Sequence, residues 1–201
     1  MPDESTPQGF AAHRRERLPL APLDTMSAAQ LSAARALIDG PRKGVFGPFV
    51  ALLRSPELLD RVAKLGEYLR FGSPLDARVR ELVICAAARH AGNQFEWTMH
   101  ASLARKEGVS GEAIEALRTG ARVRALAADE ECALDFAQEL LRTNGCSDAT
   151  YQAALARFGE QGVVELTALV GYFTMVNWVL NVARTPARAD AAVKPLDAFP
   201  Q

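Results

Sequence analysis

Glu96 and His100 stand four residues apart in FEWTMHASLARKE, and Glu81 precedes His100 by 19 residues in RVRELVICAAARH. On an α-helix, residues i and i+4 share a face, so the Glu96 carboxylate and the His100 imidazole meet. Gly92 separates two apolar-striped segments, about 75–91 and 93–107. A tight turn there lays two helices side by side and carries Glu81 toward the Glu96/His100 face. Two carboxylates and an imidazole in an apolar setting suit proton transfer. Burial and a neighbouring like charge raise a carboxyl pKa, while a carboxylate beside histidine raises the imidazole's pKa and fixes its tautomer. Groups tuned this way act as general acid and base. The same spacing also describes a surface salt bridge, which is the commoner use of an i, i+4 Glu/His pair. Phe95 and Trp97 beside Glu96 favour a shielded setting.

Other side chains carry less chemistry. The di-iron pattern of helical bundles needs Glu-x-x-His, three apart, which is absent here. His90 is a weak additional metal ligand, and His13 falls in an N-terminal segment expected to be exposed, so no metal is expected. No glycine-rich phosphate loop occurs, so no organic cofactor is implied. Cys85, Cys132 and Cys146 form neither Cys-x-x-Cys nor a zinc spacing. Cys85 lies one turn after Glu81 and reads as a buried thiol, with a redox role as the alternative.

The elements that must position these groups read as helices throughout. Residues 1–24 hold Pro2, Pro7, Pro19 and Pro22 and read as an extended arm. A single helical domain is expected over 25–201. Asp24 or Thr25 caps a first helix over about Ser27–Ile38, stopped by Gly40 and Pro41. KGVFGPFVALL reads as a loop entering a short helix. Ser55-Pro56 opens the next, with Leu58, Leu59, Val62, Leu65 and Leu69 as its apolar face. After the Ser73-Pro74 start and the hairpin at Gly92, Ser110 caps a helix that begins past Gly108. Segments Asp129–Arg142, Ser147–Phe158 and Gln161–Ala183 complete the set, with Ser147 or Asp148 as a cap. Strand would ordinarily claim a fifth or more of the residues, so its near absence defines an all-α chain.

Net charge is −1, from 23 Lys+Arg against 24 Asp+Glu, which removes the basic excess of a nucleic-acid binder. The cluster Arg14, Arg15, Arg17 is short and sits beside Glu16. The first 22 residues lack the apolar core of a secretory signal, and the odd cysteine count fits a reducing cytoplasm. Val163–Ala183 is the most membrane-like stretch. It contains Glu165, Asn177 and Asn181, and its apolar run is about half the roughly 20 residues that a span needs. A helix buried in the core or at a subunit contact fits better than a membrane segment.

From about Gly47 to Leu117, these residues resemble the carboxymuconolactone decarboxylase family, within the alkylhydroperoxidase (AhpD-like) superfamily. The resemblance rests on Arg80-Glu81, on Glu96-Trp97 followed by His100, on the 19-residue interval, on Gly108-Val109 with Ile114 beyond, and on the lead-in GPFVALLRSPEL. It implies an all-helical AhpD-like fold, assembly as dimers, trimers or hexamers, and Glu81, Glu96 and His100 as the functional set. In the peroxide-reducing branch, Cys-x-x-Cys falls at the positions held here by Asn93 and Glu96, so disulfide-based peroxide reduction is not expected. Glu96 matches the decarboxylase branch, which removes carbon dioxide from a carboxylated lactone. The expectation is therefore a cytoplasmic homo-oligomeric enzyme acting by acid–base chemistry on a small organic acid, lactone or enolisable carbonyl compound. The alternatives are a peroxidase-like antioxidant protein and a non-catalytic oligomeric binding protein.

Overall fold

Ser27, rather than Asp24 or Thr25, starts the first helix. Its hydroxyl accepts from the Gln30 amide N–H at 3.3 Å while its own N–H donates to Gln30 Oε1 at 2.8 Å, a reciprocal cap that satisfies two donors at the helix start. Asp24 and Thr25 belong to a single 3₁₀ turn just before it. The computed structural model describes residues 15–187, 190 and 192–197. His13, Arg14 and most of the expected arm lie outside those residues. Its described part runs over the body: the Arg17 N–H donates to Ala183 O at 2.8 Å, and Arg54 donates to Pro19 O at 2.6 Å.

Among the described residues there are eight α-helices and no strand: α1 (Ala28–Asp39), α2 (Pro48–Leu52), α3 (Pro56–Glu67), α4 (Ala77–Ala91), α5 (Gln94–Lys106), α6 (Gly111–Thr119), α7 (Ala128–Thr143) and α8 (Asp148–Ala183). Proline opens α2 and α3 at their first position, where a missing N–H costs nothing. Gly92 closes α4 in the left-handed region at φ 61°, which only glycine enters freely, and the chain turns directly into α5. Asn93 caps α5 through Oδ1 to the Glu96 N–H at 2.9 Å. Ser110 and Ser147 cap α6 and α8. The two expected C-terminal helices join without a loop as α8, broken only at Gly159, whose φ of 69° and ψ of 178° depart from the helical path.

The apolar face expected of α3 is rotated. Leu59, Val62, Ala63 and Gly66 face inward, followed by Leu69, whereas Leu58 and Leu65 are exposed. The sequence period is satisfied by either of two adjacent stripes, and the packing of α3 against α1 and α2 selects the one containing the small residues Ala63 and Gly66.

Helix α4 is the centre of the molecule, with α5, α7 and α8 packed around it. Residues from Glu81 through Arg89 are all buried, and the run Ala86-Ala87-Ala88 lets its neighbours approach closely. Each of Leu82, Val83 and Ile84 gives roughly 1.5–3 kcal/mol on burial, which anchors the helix that carries Glu81. Helix α8 is long and apolar enough to cross a membrane, but 56% of its most apolar window is buried inside the protein, and it packs along α2, α4 and α7 as a core helix. Past α8, the tail at 192–197 clamps α5 from outside: the Trp97 indole N–H donates to Lys194 O at 2.9 Å, and Gln94 pairs with the backbone of Leu196 in both directions.

Candidate active site

The α4–α5 hairpin brings Glu81, Glu96 and His100 together. His100 Nδ1 lies 2.6 Å from Glu81 Oε2, and His100 Nε2 lies 3.1 Å from Glu96 Oε2. All three residues are buried, His100 to 2% exposure. The imidazole ring also meets Phe173 of α8 edge to face at 5.1 Å between centroids, so its orientation is fixed on three sides. A surface salt bridge is excluded by this burial.

Burial alone would push the His100 pKa down. The Glu81 charge and hydrogen bond, joined by those of Glu96, outweigh it and raise the imidazole from 6.5 to about 9. His100 is thus an imidazolium at neutral pH, with each ring N–H directed to a carboxylate. The Glu81 carboxyl shows the reciprocal effect: burial raises it, and the opposing His100 charge, helped by Arg70 and Arg80, brings it below its ordinary value. Glu96 stands in the first turn of α5, where the unpaired N–H groups of the helix start favour negative charge.

Glu96 and His100 open onto a cavity of about 650 Å³ between α2, α5, α8 and the turn after α3, while Glu81 stands behind His100 and does not line it. The size is that of a small-molecule site. Phe46, Phe49, Phe71, Phe95, Tyr172 and Phe173 supply an aromatic wall, and Arg42, Arg70, Lys106 and Asp190 supply charge. Burial raises the Tyr172 phenol, Arg42 draws it down and Glu96 adds to it, with a net rise to about 12, so the hydroxyl stays protonated. It occupies the space over Gly66, where a methyl group would collide with it.

Other groups singled out in the sequence are elsewhere. Cys85 is wholly buried, and burial together with the Glu81 and Glu96 charges raises its thiol well above the ordinary value, the opposite of an activated thiolate. Cys132 is partly buried, Cys146 is exposed, and the three cysteines are free. His90 is exposed at the end of α4. Among the described residues no group of three His, Cys, Asp or Glu is arranged to hold a metal ion, and both nitrogens of His100 are engaged by carboxylates. Arg80, the partner of Glu81 in the Arg-Glu pair, binds the carbonyls of Ser73 and Leu75 and so braces the approach to α4.

Several cavity residues were not singled out in the sequence. Tyr172 and Phe173 sit in an apolar helix and read as core. Arg70 and Phe71 lie in the turn after α3 and Arg42 in the loop after α1, where no apolar period marks them. Glu165, notable in the sequence only as a charge in an apolar run, is buried and accepts from Tyr68 Oη at 2.7 Å, from Gln161 Nε2 at 2.8 Å and from the Ser73 hydroxyl. The one signal that could have found it is a lone carboxylate on an otherwise buried helical stripe.

The site sits in a helical core whose central α4–α5 hairpin buries Glu81, His100 and Glu96 beside the cavity. Residues 56–139, from α3 into α7 and including all three members of the set, match the model of the Carboxymuconolactone decarboxylase family. Among solved structures the fold is similar to an uncharacterised peroxidase-related protein with an alkylhydroperoxidase AhpD core from Ralstonia eutropha JMP134, at 16% identity and a TM-score of 0.70, covering 90% of this chain and 95% of that one. It is also similar to an uncharacterised peroxidase-related protein from Silicibacter sp. TM1040, at 19% identity and a TM-score of 0.71, covering 92% and 97%. A protein of unknown function from Agrobacterium tumefaciens aligns at 18% identity and a TM-score of 0.60, covering 69% and 96%. No curated protein sequence matches the chain. Over residues 56–139 the chain is thus similar to the carboxymuconolactone decarboxylase family, and its fold is similar to that of the AhpD-core proteins.

Proposed function

We propose that the protein is an acid–base enzyme of the decarboxylase-like branch, acting on a small organic acid, lactone or enolisable carbonyl compound. The observation that carries this reading is the buried Glu81–His100–Glu96 chain, which ends on an aromatic-walled cavity through Glu96 and the edge of His100. Glu96 is the carboxylate that meets the substrate. His100 is the proton store behind it, and Glu81 is a positioning residue that holds the imidazole charged and in one orientation. In a decarboxylation, loss of carbon dioxide leaves an electron pair on the former carboxyl-bearing carbon, delocalised into the adjacent carbonyl. A proton from His100, delivered through Glu96, closes the C–H bond. In an isomerisation, Glu96 takes the proton from one carbon and returns it to another.

Peroxide reduction is the second reading, favoured by the naming of two structural relatives as peroxidase-related. Against it stand the absence of Cys-x-x-Cys, the presence of Asn93 and Glu96 at those positions, and the inert environment of Cys85. The exposed apolar side chains Val164, Trp178 and Val182 on α8, with Leu65 beside α8, support a homo-oligomer. The chemistry and the free cysteines support a cytoplasmic setting.

Incubation in D₂O with a panel of carboxylated lactones and enolisable oxo acids, followed by NMR, tests the main reading. The expected result is C–H to C–D exchange or release of carbon dioxide from at least one compound, abolished by His100→Ala. Thiol-dependent consumption of cumene hydroperoxide, with no exchange in any compound, would overturn it.

A further inference from the structure

Between α3 and α4 the chain makes a π-helical turn over Tyr68–Gly72, with the Ser73 N–H donating back to Tyr68 O at 2.9 Å. Such turns insert one residue into the helical path and recur at functional sites because they re-aim side chains. Here the turn sends Arg70 and Phe71 into the wall of the cavity that Glu96 and His100 also line. It is held in that form from outside: Glu165 grips Tyr68 at one end and Ser73 at the other, and Arg80 binds the Ser73 carbonyl.

The Arg70 side chain is unlike the other guanidinium at the cavity. Arg42 donates to Ala63 O at 2.9 Å, lies 3.7 Å from Glu67, and stacks over Phe49 at 4.7 Å, so its charge is largely spent on the scaffold. Arg70 stacks over Phe71 at 5.0 Å, but its Nε is buried without a hydrogen-bond partner, and no described carboxylate forms an ion pair with it. A buried N–H of a charged group left unpaired is costly, and a guanidinium fork is shaped for a carboxylate.

We propose that Arg70 is the anchor of a carboxylate-binding subsite, and that the cavity takes an aromatic or conjugated carboxylate whose anionic end lies on Arg70 and whose reacting carbon lies at Glu96. The inference rests on the acid–base reading and narrows it to a substrate that keeps a carboxylate bound through the reaction. The aromatic wall supplies the apolar part of the recognition. Lys106, exposed at the cavity rim, adds positive charge that draws the anion in.

The test is binding of trans-cinnamate and of its neutral isostere cinnamamide to the full-length protein by isothermal calorimetry. Neither binding event needs proton transfer, so the result reads Arg70 apart from the chemistry of His100 and Glu96. Cinnamate should bind at least tenfold more tightly than cinnamamide. Arg70→Gln should weaken cinnamate by tenfold or more and leave cinnamamide within twofold, so that the preference disappears. Arg70→Lys, which keeps the charge and loses the fork, should retain a preference of severalfold and keeps the test decisive if the Gln variant does not fold. Equal binding of the two compounds, no binding of cinnamate at 10 mM, or a preference that survives Arg70→Gln in folded protein would overturn the proposal.

Discussion

Raising the pH from 6.5 to 9.5 should remove a defined share of the folding free energy, because His100 gains its carboxylate partners only on folding. In the unfolded chain the imidazole titrates near 6.5, and in the folded protein near 9. Its contribution is therefore complete below pH 6.5 and is lost as pH rises through 9. At 1.36 kcal/mol per pH unit, the difference amounts to roughly 3 kcal/mol, approached with a slope no steeper than about 1.4 kcal/mol per unit. For a protein of this size that corresponds to a fall in Tm of roughly 6–12 °C. Glu81 works in the opposite direction. Its folded pKa lies below its ordinary value of 4.5, so its share is present above that value and is lost on acidification. The assay is urea unfolding at pH 6.5, 7.5, 8.5 and 9.5 at one fixed protein concentration, since association also shifts apparent stability. His100→Gln serves as the control that lacks the His100 share of the slope, while the buried Cys85 thiol, raised well above its ordinary value, adds a fall at the alkaline end in both proteins, and NMR follows the imidazole directly. A flat profile from 6.5 to 9.5 in the wild type, or an imidazole titrating near 6.5, would refute the argument that the two buried carboxylates hold His100 charged.

Cys85→Ala should leave turnover within about twofold and cost on the order of 1 kcal/mol for the lost packing, read by steady-state assay and thermal melt. Gly66→Ala places a methyl group against the Tyr172 hydroxyl, and should cost about 1–3 kcal/mol and weaken cinnamate binding, read by thermal melt and calorimetry. Trp178→Glu puts a charge on the exposed face of α8 and should lower the mass measured by light scattering at micromolar concentration to that of a smaller assembly or a monomer.

The part of this structure legible in the sequence is the part encoded by short-range rules. Glu96 and His100 meet because four residues make one helical turn, and Glu81 joins them because Gly92 permits a left-handed stop. The helix starts at Ser55-Pro56, Ser110 and Ser147 announce themselves through caps and proline. The cavity is another matter. Its wall comes from Arg42, Arg70, Phe95 and Tyr172, which lie on four separate elements, and only packing brings them together. The π turn at Tyr68–Gly72 is specified by Glu165, almost a hundred residues further on, so no local pattern marks it. The same long-range packing decides which stripe of α3 faces inward and leaves Leu58 and Leu65 in solvent. The first helix shows the limit of cap reading: Asp24, Thr25 and Ser27 are all capping types, and the Gln30 amide, three residues beyond Ser27, selects among them.

On the proposed acid–base reading, proton transfer rather than thiol chemistry does the work in this cavity. That reading is tested most directly by measuring one set of proteins in two assays: wild type, His100→Ala, Glu96→Gln and Cys85→Ala, each followed for turnover of a carboxylated lactone and for consumption of cumene hydroperoxide with a dithiol. Lactone turnover should fall by roughly a hundredfold or more in His100→Ala, fall clearly in Glu96→Gln and persist in Cys85→Ala, with no peroxide consumption above background. Peroxide consumption that needs Cys85 and survives His100→Ala would contradict that reading.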